Sequence, residues 1–140
     1  LAKCSATGSL SAEASVDQVL FDGGETVTLI STRVLPADLP GPAKSLVGDT
    51  ITVTETQIWT PPAPDGSRTA TISVVFSAPM SFIGTLELSP GAQTNTTITT
   101  RGKFTASVPF IGGKIEKVAA EQTQRYLVAE ERVGNEWLAD

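Results

Sequence analysis

Two polar side chains stand where a strand pattern asks for apolar ones. In the run DTITVTETQIW, Thr50, Thr52, Thr54 and Thr56 share one side of the strand, and Ile51, Val53, Glu55, Gln57 and Trp59 share the other. A carboxylate on a core-facing register is costly unless it is paired or hydrogen-bonded. Three arrangements meet that condition. Glu55 and Gln57 can face a solvated ligand cavity, a bulge can flip the register, or the pair can lie at an exposed edge. In the first case they would orient a small molecule. If the site were catalytic, Glu55 with a raised pKa would be its base, helped by Tyr126 or Arg33.

Other side chains extend this set. Gln122 and Tyr126 fall on the apolar stripe of a predicted helix. They either put an amide and a hydroxyl on a cavity wall or are a satisfied core amide beside a tyrosine that reaches for water. Trp59, Phe82 and Phe104 either line an apolar pocket or form plain core. The ligand-binding candidates are therefore Glu55, Gln57, Trp59, Phe82, Phe104, Gln122 and Tyr126.

The inventory excludes much else. The chain of 140 residues has no histidine, which removes the usual general base and metal ligand along with Ser/His/Asp and Cys/His arrangements. Cys4 is the lone cysteine, so no disulfide framework or zinc cluster is expected. No phosphate-binding glycine pattern occurs. No catalytic residue, metal or cofactor is nominated. A net charge of −5 argues against a nucleic-acid partner. No apolar stretch approaches the ~20 residues that span a bilayer. An integral membrane protein is not expected, no signal peptide is visible, and a cytoplasmic location fits the cysteine usage.

The elements that must position the candidates read clearly. GSLSAEASV alternates through Leu10, Ala12, Ala14 and Val16. DGG at 22–24 is a hairpin turn, and ETVTLISTRVL is a second strand. Residues 35–48 break the pattern with prolines and glycines. They form either a gate over a cavity or a loop whose Leu35, Leu39 and Leu46 pack the sheet edge. DTITVTETQIW, RTATISVVF, MSFIGTLELS and TNTTITTRGKFTASV supply four more strands. Asp65-Gly66 marks one turn between them. A helix of roughly 25 residues follows, with Ile115, Val118, Ala119, Gln122, Tyr126, Ala129, Val133 and Trp137 on one stripe. Strands first and one helix after is an α+β pattern, a curved antiparallel sheet around a long C-terminal helix.

The joint between strand and helix, VPFIGGKIEKVAAEQ at 108–122, has a role in this arrangement. Pro109 is expected to end the ladder and Phe110 and Ile111 to enter the core. Gly112 or Gly113 is expected to have a positive φ or to allow a close backbone approach. This stretch with the following GNEWL, together with LPADLPGPAKSLVGDTITVTETQIW, resembles an actinobacterial family, the domain of unknown function 2505. The resemblance covers nearly the whole chain. It implies the START-like, helix-grip superfamily of lipid and hydrophobic-ligand binders and polyketide cyclases. Residues 1–140 would then be a single START-like domain. Such domains open with a strand and one or two short helices, about 30 residues in all, which are expected before Leu1. The function implied is binding of a hydrophobic small molecule or lipid between sheet and helix, without catalysis. A cyclase-type enzyme and an interaction module with a filled cavity are the alternatives.

Overall fold

The computed structural model describes residues 13–21 (backbone only), 26–36, 45, 48–92 and 95–139. Six strands follow one another: β1 (Glu13–Phe21), β2 (Val27–Pro36), β3 (Thr50–Trp59), β4 (Arg68–Phe76), β5 (Met80–Pro90) and β6 (Thr96–Ala106). Among the described residues they pair in chain order as a six-stranded antiparallel sheet, and a long helix, α1 (Gly112–Ala139), follows β6. This is the expected α+β plan, in a helix-grip-like arrangement. Leu10 and Ala12 of the first predicted strand lie outside the described residues. The turn at 22–24, and Leu39 and Leu46 of the apolar loop, lie outside the described residues.

Alternation sets the inward face. On β4, Ala70, Ile72 and Val74 are buried, while Thr71, Ser73 and Val75 are exposed. Antiparallel pairing carries that face across the sheet, because directly opposed residues point the same way. Glu55 opposes Val74, Val74 opposes Phe82, and Phe82 opposes Phe104. Ile51, Val53, Ala70, Ile72, Val74, Phe82 and Leu86 form one core cluster, with Leu35, Trp59, Phe76 and Phe104 packed against it. Met80 joins Ile115 and Ala119 of α1 in a second cluster, which Phe76 and Phe104 also touch. These two phenylalanines therefore tie the helix to the sheet.

The helical stripe is covered mainly near its start. Ile115 and Ala119 are buried, Val118, Gln122, Tyr126, Ala129 and Val133 are half-buried, and Trp137 is 45% exposed. Across the helix from this stripe, Lys114, Lys117, Glu121, Arg125, Glu131, Arg132 and Asn135 are all exposed.

The joint differs from expectation in an informative way. Phe110 does not enter the core: it is fully exposed, with φ at 69°. The Ile111 amide donates to the Pro109 carbonyl at 2.9 Å, closing a γ-turn around Phe110. Holding the backbone in that turn turns the phenyl ring away from the sheet, and Ile111 alone packs inward. Gly112 supplies the close approach, since a Cβ there would sit 2.9 Å from the Ala106 carbonyl oxygen. Gly113 has open space around it among the described residues, and neither glycine has a positive φ. The Ala106 amide donates to Glu116 Oε1 at 3.0 Å. The start of α1 is thus fastened to the end of β6 through the Ala106 amide, with Gly112 lying close to the Ala106 carbonyl.

Phe110→Gly should therefore stabilise the protein. Positive φ costs a residue with a Cβ about 1–2 kcal/mol, and glycine returns roughly 0.5–1 kcal/mol of that as unfolded-chain entropy. No burial is lost. A gain of about 0.5–1 kcal/mol in urea melts is expected. A loss would mean that the exposed ring makes a stabilising contact.

Candidate functional site

Residues 55, 57 and 59 of β3 follow at two-residue steps, so their side chains project from one face in a row. The β2–β3 register runs without interruption from Val27↔Trp59 to Pro36↔Thr50. That excludes a bulge, and β3 lies inside the sheet rather than at an edge. Neither the bulge nor the exposed edge applies, and the two side chains lie on the inward face of the sheet. Glu55 and Gln57 share the face of buried Ile51 and Val53 and are themselves half-buried.

The polar groups satisfy one another in a chain. Trp59 Nε1 donates to Gln57 Oε1 at 2.9 Å, and Gln57 Nε2 donates to Glu55 Oε1. Arg33 Nη2 donates to the other carboxylate oxygen, Glu55 Oε2, at 2.8 Å. The two side chains of this ion pair are 17% and 16% exposed. Arg33 opposes Val53 on β2, one step diagonally from Glu55, which is within reach of a long side chain. Its Cζ lies 5.1 Å from the centroid of the Tyr126 ring, a cation–π contact that links the sheet to the middle of α1.

Charge matches this geometry. Burial alone would lower the Arg33 pKa. The opposing attraction of Glu55, reinforced by Tyr126, the hydrogen bond to Glu55 and Glu130, leaves it raised above the ordinary arginine value. The guanidinium is charged at every relevant pH.

Residues 1–138 of the chain match a family described as "Protein of unknown function (DUF2505)". The chain belongs to the DUF2505 family. Uncharacterized proteins of Mycobacterium tuberculosis and Mycobacterium bovis are 30% identical to it over 118 residues, 83% of this chain. The chain spans 66% of the length of these actinobacterial relatives.

In this DUF2505 chain the aromatic candidates differ in their partners. Phe82 is buried, with its ring centroid 4.7 Å from that of Phe104, and Phe104 lies 6.2 Å from Phe76. These rings are core packing. Trp59 packs against the same cluster while its indole N–H ends the polar chain. Gln122 and Tyr126 are half-buried on α1, and Tyr126 is brought onto Arg33. A shallow groove lined by Glu121, Gln124, Arg125 and Val128 opens on the exposed side of α1 and contains none of the candidates. Among the described residues no helix is long and apolar enough to cross a membrane.

Two residues of this polar cluster were outside the sequence-derived set. Arg33 enters that reading only as a helper, although its alternation with Leu35 on β2 marks the inward face. Glu130 was missed entirely. It lies one helical turn beyond Tyr126, and that spacing is the signal that would find it. Much of Glu130 is exposed. Even so, burial around its carboxyl raises its pKa from the ordinary 4.5, and the charge of Glu55 adds to this while Arg33 opposes it.

A carboxyl whose folded pKa is raised binds protons more readily in the folded than in the unfolded state. Folding stability from this group is then greatest below the unfolded value and declines as pH rises through the folded one. Glu130→Gln should therefore be more stable than the parent at neutral pH, with the advantage shrinking toward pH 4. Melts at both pH values check this, and an advantage that grows on acidification would reverse the assignment.

Proposed function

We propose that this domain binds a hydrophobic small molecule or lipid between its sheet and α1 and catalyses no reaction on it. The observation behind this reading is the half-buried chain Trp59–Gln57–Glu55–Arg33, capped by Tyr126, on an otherwise apolar face. Apolar walls with a few converging polar groups are the usual makeup of a small-molecule site. The helix-grip-like arrangement supports placing the domain in the START-like superfamily, whose members hold such ligands. On this reading it acts in the cytoplasm.

A cyclase-type enzyme in the same place is less well supported. Its base would be Glu55, and both oxygens of that carboxylate already accept hydrogen bonds from Gln57 and Arg33. Taking up a proton would also cost Glu55 the ion pair that offsets the burial of Arg33.

The deciding experiment is extraction of the protein from its native host, followed by mass spectrometry of what co-purifies. A stoichiometric apolar compound, returned unchanged after incubation with fresh protein, is the expected result. A compound converted during incubation would establish an enzyme. Preparations with no bound compound, and no saturable uptake of apolar probes, would leave the domain an interaction module.

A further inference from the structure

The charges around the polar chain decide which head group can enter. Arg33 carries the positive charge, and Glu55 neutralises it directly at 2.8 Å. Glu130 is close enough to sense the charges of both. One carboxylate thus pairs with the guanidinium and a second, on α1, adds negative charge nearby, while the Tyr126 ring covers the guanidinium on one side. Arg33 Nε is buried and donates to no acceptor among the described residues.

An anionic head group would have to displace Glu55 from Arg33, leaving that carboxylate without its cation, or sit beside two like charges. A cationic head group has no acceptor to offer the Nε–H and would meet the guanidinium itself. A neutral oxygen has neither difficulty, since it brings no charge to the ion pair and can accept from a guanidinium N–H. Resting on the binding function proposed above, we propose that the site takes a neutral amphiphile, an apolar chain ending in a hydroxyl, ester or ketone oxygen, and rejects the carboxylate of the same chain length.

The test uses the fluorescence of Trp59, isolated by Trp137→Phe, with 1-decanol, decanoate and decylamine as probes below their aggregation limits. At about pH 7.5 the acid and the amine are both charged. Decanol is expected to bind at least about tenfold more tightly than either. Decanoate or decylamine binding as well as decanol would overturn the head-group assignment and leave the binding function standing. No saturable change with any probe would overturn both. Glu55→Gln gives a gain-of-function check, because it frees the charge of Arg33 while keeping the side-chain shape. Decanoate affinity should then rise by about tenfold relative to that of decanol. A folded variant that shows no such rise would also overturn the assignment.

Discussion

Gly102→Ala should destabilise the domain by about 3 kcal/mol, the upper end of what overpacking costs. A Cβ at this position would lie 2.3 Å from Phe82 Cζ and 2.6 Å from the Ile83 carbonyl oxygen. The phenyl ring has little room to move, because it is buried and packed against Phe104. The carbonyl belongs to β5 and moves only with the strand. Gly84 stands directly opposite, and a Cβ there would meet the Arg101 carbonyl oxygen at 2.1 Å. The glycine pair thus makes a gap on the inward face that the Phe82 ring covers. Phe82→Leu should partly rescue Gly102→Ala, since it removes the Cζ clash but not the carbonyl one. Denaturant melts of the two singles and the double give the coupling. Strictly additive losses would mean that the ring is not what the new methyl meets.

Arg33→Met should cost about 2–4 kcal/mol, somewhat less than breaking a fully buried pair because a little solvent reaches this one. The substitution keeps an apolar stem of similar length but strands Glu55 among apolar neighbours, with only Gln57 still donating to it. It also removes the cation above the Tyr126 ring. The double variant Arg33→Met with Glu55→Gln should recover much of the loss, since no unpaired charge is left. A double variant no more stable than the single would show that the cost lies in packing rather than in charge. The same pair of variants separates stability from recognition. On the binding function proposed above, the double variant should fold yet hold ligands less selectively, because the groups proposed to orient a head group are gone.

Much of this architecture was legible in the chain. The alternation in RTATISVVF marked Ala70, Ile72 and Val74 as inward, and all three are buried. The misplaced Glu55 and Gln57 were visible by the same rule, as was the helical stripe that buries Ile115 and Ala119. Phe110 was misjudged because an aromatic next to a proline and an isoleucine looks like core. Its direction is set by a γ-turn that composition does not reveal. Gly102 lay in a recognised register, but nothing local indicates that a ring from the next strand fills the space its side chain would need.

The division has a physical cause. The direction of a side chain follows from the dihedral angles of its own residue, so periodicity alone assigns faces to strands and to a helix. Sequence by itself therefore determined the six strands, the helix, the inward register and the presence of a carboxylate that required a partner. Which group would be that partner depends on distances between segments far apart in the chain. Arg33 reaches Glu55 across 22 residues because the unbroken β2–β3 register sets them one step apart. Tyr126 and Glu130 join them because packing around Met80, Ile115 and Ala119 lays α1 over that end of the sheet. Strand register and helix path are settled by the packing of the whole core, and only the tertiary structure could decide them.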